Sequence, residues 1–142
     1  MTTPLVKPLY TARATATGGR SGHAVTDDGQ VDVHLKPPKE MGGPGGGTNP
    51  EQLFATGYAA CFQSALGAVG RRQGVNTEDS LVEADVTIGT IGHGGYGLAV
   101  TLKVSIPGVD AGTVAALAEA AHQVCPYSNA TRGNIDVTLE AN

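Results

Sequence analysis

The segment from Pro50 to Arg71 constrains this chain more than any other. Its middle is apolar on nearly every face, with Leu53, Phe54, Tyr58, Phe62, Leu66 and Val69 separated by small residues. A helix of that kind is buried on most of its faces. Gly57, Ala59 and Ala60 leave room for close neighbours. Upstream, Thr48 or Asn49 can cap the helix, Pro50 suits the first turn, and Glu51 stands where a capping box places an acid. The preceding KPPKEMGGPGGGT, Lys36 to Thr48, is a Gly/Pro loop that fits neither helix nor central strand. The sequence thus predicts one central helix, entered from a loop, that the rest of the chain must cover.

The flanks read as strands and one further helix. Tyr10, Ala12, Ala14 and Ala16 alternate with polar residues, which predicts a strand over Leu9 to Thr17. His23 to Thr26 and Val31 to Leu35 follow as short strands, giving a three-stranded antiparallel meander. Beyond the central helix, Leu81 to Ile88 and Leu98 to Ile106 read as strands joined by the Gly-rich loop Gly89 to Gly97. Asp110 can cap a second helix whose apolar face is Val114, Leu117, Ala118 and Ala121, ending near Val124 before Pro126. Asn134 to Leu139 is the last strand. The order βββ-α-ββ-α-β predicts an α+β fold, with helices packed on an antiparallel sheet, in a single domain, 1–142.

Composition narrows the function. The net charge is −4 with no run of like charges, against the basic stripe that nucleic acid requires. No apolar stretch reaches the ~18 residues of a membrane span, and no apolar signal region stands at the N-terminus, so a cytoplasmic protein is expected. Aromatic residues make up only 4% of a 142-residue chain, so its core rests on smaller side chains and gains from burial in a dimer.

Two cysteines carry the chemical interest. Alone, Cys61 in the buried helix and Cys125 after the second helix each read as small core residues. In a chain without a signal region, a redox or catalytic pair is the alternative. They are 64 residues apart, so any pairing is tertiary. A reactive cysteine must be a thiolate, yet burial and a position far from the helix N-terminus both disfavour the charge. Cys61 needs a cation, and Arg71 and Arg72 lie about 15 Å along the axis. Arg20, in a Gly-flanked loop, and Arg132, after the Cys125 segment, are the remaining candidates, each equally readable as a solvated surface residue. The histidines lack zinc spacing, and His122-x-x-Cys125 has no second pair, so no metal site is expected. The glycine runs fit neither a P-loop nor a dinucleotide fingerprint.

The blocks LYTARATATGGRSG, GTNPEQLFATGYAACFQSAL, GGYGLAV and AHQVCPYSNATRGNIDVTL resemble the organic hydroperoxide resistance (Ohr) proteins of the OsmC/Ohr family, in the same order from about Leu9 to Leu139. Thr56 and Tyr96 stand where that family usually shows Ala and Phe. The resemblance implies an OsmC-like fold in an intertwined homodimer. It implies a thiol-dependent peroxidase with Cys61 as the peroxidatic and Cys125 as the resolving cysteine. Arg20 would hold the thiolate and the peroxide, and Glu51 would hold Arg20. The implied substrate is an organic hydroperoxide, alkyl or fatty-acyl, and the implied reductant is a dihydrolipoyl group, free or on lipoylated proteins. No metal or bound cofactor is implied. Phe54, Tyr58 and Phe62 are expected as apolar walls for the substrate. A non-catalytic lipid- or lipoyl-binding protein, or a thiol redox sensor, are the rival readings. The paired cysteines weigh against a simple binder, which needs neither.

Overall fold

The computed structural model describes residues 2–142. They form two compact units, one ending at Pro50 and the other comprising Glu51–Asn142.

The first unit is the expected meander. Strands β1 (Ala14–Thr17), β2 (His23–Thr26) and β3 (Asp32–His34) pair antiparallel in that order. β1 is shorter than its alternation predicted. The Cα ladder closes at Ala14 opposite Thr26, and β2 has no residues left to pair with Leu9 to Arg13. The Gly/Pro loop is pinned at its neck, where Leu35 bridges Thr48. Lys36 N–H donates to the Thr48 carbonyl at 3.0 Å and Thr48 N–H to the His34 carbonyl at 2.9 Å.

The second unit holds helix α1 (Pro50–Gln73), strands β4 (Leu81–Thr90) and β5 (Tyr96–Ser105), helices α2 (Ala111–Val124) and α3 (Pro126–Thr131), and strand β6 (Val137–Ala141). α1 stops because Gly74 takes a left-handed φ of 71°. Val75 N–H then donates to the Gly70 carbonyl at 2.9 Å, closing a Schellman turn. β4 and β5 run further than expected, because the turn between them is only Ile91 to Gly95. Asp110 caps α2 as predicted, accepting from the Thr113 N–H at 3.0 Å.

Three expectations need correction. The sheets are two rather than one, and the second is mixed: β5 is its centre, with β4 antiparallel and β6 parallel to it. A parallel neighbour needs a long crossover, and α2 with α3 supplies it. Next, Pro126 does not merely end α2. The residue before a proline is confined to extended backbone, so Cys125 (φ −64°, ψ 125°) breaks the helix, and Pro126 then starts α3 at its first turn. Finally, α1 is not buried all round. Tyr58, Phe62, Leu66, Val69 and Gly70 form one buried stripe, while Leu53, Thr56, Ala60, Gln63 and Ser64 are exposed. That stripe joins Val100, Leu102 and Val104 of β5 and Val114, Leu117, Ala118 and Ala121 of α2 in one core. Among the described residues, no helix is long and apolar enough to cross a membrane.

Candidate active site

The core ends in sulfur. Cys125, at the break between α2 and α3, is fully buried, and Cys61, on the flank of the α1 stripe, is partly exposed. Their Sγ atoms lie 3.6 Å apart and are not bonded. A disulfide needs about 2.05 Å, so a small approach of two side chains would close one. The sulfur that meets solvent is therefore backed by a second sulfur that does not.

Three groups set the ionisation of Cys61. Burial is the largest and raises its pKa above the ordinary 9.0; the Cys125 side chain adds to the rise, and the backbone N–H of Tyr127 opposes it. The Tyr127 side chain packs against α1 one to two turns before Cys61. Its ring meets Phe54 at 6.0 Å and Tyr58 at 5.5 Å between centroids. Gly57 makes this possible, because a Cβ there would lie 2.5 Å from the Tyr127 hydroxyl. Of the expected apolar walls, Phe54 is partly exposed, but Tyr58 and Phe62 are completely buried. Those two are core residues and cannot face an incoming substrate.

A buried polar chain runs behind Cys125. The Tyr58 hydroxyl is 2.9 Å from Ser128 Oγ and 3.0 Å from Thr131 Oγ1, and His122 Nδ1 is 2.7 Å from Ser128 Oγ. Burial, followed by the charge of Arg132, lowers the His122 pKa. Tyr127, Ser128 and Thr131 were not singled out from the sequence, and His122 only as an unsupported metal ligand. Their signal was the run PYSNAT directly after Cys125, whose hydroxyls look like surface residues until α3 buries them.

Arg132 is committed elsewhere. Its Nη2 donates to the His122 carbonyl at 2.5 Å and to Asn129 Oδ1 at 2.8 Å. It thereby satisfies a carbonyl in the last turn of α2, a favourable place for a cation. Arg20 belongs to the first unit, in the short 3-10 turn Gly19–Ser21, and Glu51 lies in the first turn of α1. Neither is an unpartnered charge. Because α1 is continuous, Glu51 and Cys61 are about 15 Å apart along the axis and roughly 80° apart around it. The fold thus brings the two cysteines together and keeps Glu51 away from Cys61 on the same helix. Among the described residues, no three His, Cys, Asp or Glu side chains are grouped to hold a metal ion.

Residues 43–140 match the OsmC-like protein family. The chain is 55% identical over 135 residues to the organic hydroperoxide resistance protein of Xanthomonas axonopodis pv. citri (strain 306), covering 94% of each. It is 47% identical to the organic hydroperoxide resistance protein OhrB of Bacillus subtilis (strain 168), covering 93% of this chain and 97% of that one. A solved organic hydroperoxide resistance protein from Legionella pneumophila superposes with a TM-score of 0.89 at 48% identity, covering 94% of this chain and 98% of the other.

Proposed function

Because this chain belongs to the organic hydroperoxide resistance proteins of the OsmC family, we propose that it is a cysteine-based peroxidase that reduces organic hydroperoxides to alcohols. The observation that carries this reading is the sulfur pair: one thiol reaches solvent and a second waits behind it at 3.6 Å. In the first step the Cys61 thiolate attacks the O–O bond of the hydroperoxide. The alkoxide leaves, takes a proton and departs as the alcohol, and Cys61 becomes a sulfenic acid. In the second step the Cys125 sulfur displaces hydroxide from that sulfenic acid, forming a disulfide and water. An external dithiol, such as a dihydrolipoyl group on a partner protein, then restores both thiols by exchange.

The raised pKa of Cys61 means the first step needs a cation. We assign that role to Arg20, held in turn by Glu51 through a planar fork. Arg132 is excluded by its bonds to the His122 carbonyl and Asn129. In this reading the whole chain, 1–142, acts as one functional domain, because the arginine belongs to the first unit and the sulfurs to the second. The catalyst is a homodimer. Leu5, Val6, Leu9 and Tyr10 are more than 80% exposed and need cover. The axial separation of Glu51 from Cys61 favours a Glu51 that serves the site of the partner chain. The chemistry requires only sulfur, guanidinium and carboxylate, without metal or cofactor.

Turnover of cumene hydroperoxide with dihydrolipoamide tests the reading. Multiple turnovers with a disulfide intermediate are expected. Binding of substrate without consumption would turn the protein into a lipid or lipoyl binder, and a disulfide that forms once but is reduced too slowly to sustain turnover would make it a redox sensor.

A further inference from the structure

The buried polar chain needs a reason. Tyr58 and Ser128 are completely buried, and Thr131 is 5% exposed. A Phe and an Ala would occupy the first two positions without placing hydroxyls in an apolar core, where each is costly unless satisfied. Here each is satisfied, and the bonds join three helices. Tyr58 stands three residues before Cys61, His122 three before Cys125, and Ser128 three after it. Each member is thus about one helical turn from a cysteine.

The bonds also have a direction. Thr131 Oγ1 donates to the Ser128 carbonyl at 3.3 Å, so its oxygen is left to accept from the Tyr58 hydroxyl. The Tyr58 oxygen then accepts from the Ser128 hydroxyl, and Ser128 Oγ accepts from His122 Nδ1. One arrangement of protons satisfies every contact, and it requires the hydrogen of His122 on Nδ1.

We propose that the His122–Ser128–Tyr58 chain is a positioning device for the resolving step, clamping the segment that carries Cys125 to the helix that carries Cys61. The inference rests on the peroxidase reading for its role, though the clamp itself does not. Once Cys61 is a sulfenic acid, two reactions compete: condensation with Cys125, which releases water, and attack on a second hydroperoxide, which gives sulfinic acid and another alcohol. Holding Cys125 close favours the first. Loss of one hydroxyl strands its neighbour, loosens the break between α2 and α3, and lets the second gain ground. Tyr58, Ser128 and His122 are positioning residues, since they act through the placement of Cys125.

The test treats reduced protein with one equivalent of cumene hydroperoxide and follows sulfenic acid, disulfide and sulfinic acid by mass after quenching. In Ser128→Ala and Tyr58→Phe, disulfide closure should slow about tenfold, the size expected for one lost buried hydrogen bond. The sulfinic fraction under excess peroxide should rise, while formation of the sulfenic acid stays within about twofold of the parent, because that step does not involve the clamp. His122→Asn, which offers an N–H in place of Nδ1–H, should close near the parent rate, and His122→Leu should not. This pair carries the test if a hydroxyl variant fails to fold. Nitrogen NMR of the parent should place the His122 hydrogen on Nδ1. Unchanged closure in Ser128→Ala and His122→Leu, or an equal slowing of both steps, overturns the clamp. Diamide, which accepts the two thiol hydrogens, drives the same closure without peroxide. A parent that ignores peroxide yet closes faster with diamide than the variants would defeat the peroxidase reading and leave the clamp standing.

Discussion

Each of the two units contains a three-stranded sheet, and the sheets meet water differently. In the unit ending at Pro50, every residue of β1 is exposed, β2 is half-buried throughout, and the buried residues among those described are Leu35 and Asn49. In Glu51–Asn142, alternate residues of β5 are buried under α1 and α2, and the remaining buried residues are found there. A three-stranded sheet is stable when a hydrophobic face is covered. The second unit covers its own. The first does not, and in the proposed chemistry it supplies the arginine. The larger core and both sulfurs thus reside in the second unit, and the arginine proposed to activate the sulfur resides in the first. A dimer that covers the first sheet would complete both.

The largest effect should come from the sulfurs. Cys61→Ser should abolish peroxide consumption, and Cys125→Ser should allow one turnover followed by over-oxidation, read by mass. Multiple turnovers in Cys61→Ser would remove Cys61 from the role of first attacker.

Arg20→Ala tests the first unit's share. The rate of the first step should fall about 10²–10³-fold, typical of losing a group that stabilises charge at a reacting centre. Burial and Cys125 already hold the Cys61 thiol above 9.0. Without the guanidinium, the midpoint of thiol alkylation should therefore move up from that of the parent, leaving less thiolate at neutral pH. An unchanged titration would dissolve the division of labour between the units.

A core substitution and one in the segment before β1 sharpen the contrast in stability. Phe62→Ala should cost about 3–5 kcal/mol in chemical denaturation. Leu9→Ala, at an 88% exposed residue, should change the dilute chain by less than about 0.5 kcal/mol. It should instead weaken self-association in sedimentation at rising concentration. Equal losses in the two variants at low concentration would mean that the segment before β1 is packed within the single chain.

The smallest effect is a cap. Asp110→Ala should lower the melting midpoint by a few degrees at neutral pH. Hydrogen bonds from the Thr113 side chain and backbone N–H hold the Asp110 carboxyl below its ordinary pKa. The contribution is therefore present above the unfolded value of about 3.9 and lost as pH falls through the lowered one. A difference between parent and variant that persists at pH 2 would assign the loss to something other than the charge.

What the sequence made legible follows the range of the interactions. The α2 boundaries were set by Asp110 and Pro126, both local signals, and were found. The stripe on α1 was hidden because small residues, Gly57, Ala59, Ala60 and Gly67 among them, blur the contrast between faces. β6 could be found as a strand but not as a parallel neighbour of β5, because alternation says nothing about its partner. Cys61 and Cys125 were individually indistinguishable from filler, and only the family blocks joined them. The chain through Tyr58, Ser128 and His122 was invisible for a related reason: its two serial bonds span 70 and 6 residues, and no local pattern encodes them.

The separation of the two sulfurs along the chain has a thermodynamic side. Joining residues 64 apart withdraws freedom from the unfolded chain, worth about 4 kcal/mol of added stability by loop-closure entropy. Each catalytic cycle would then also be a cycle of heat resistance. The oxidised protein should melt on the order of 10 °C above the reduced one, and it would be the sturdier form against proteolysis during peroxide exposure. A plain thermal melt, with no peroxide assay at all, would serve as a gauge of how much of the protein has fired and awaits its reductant.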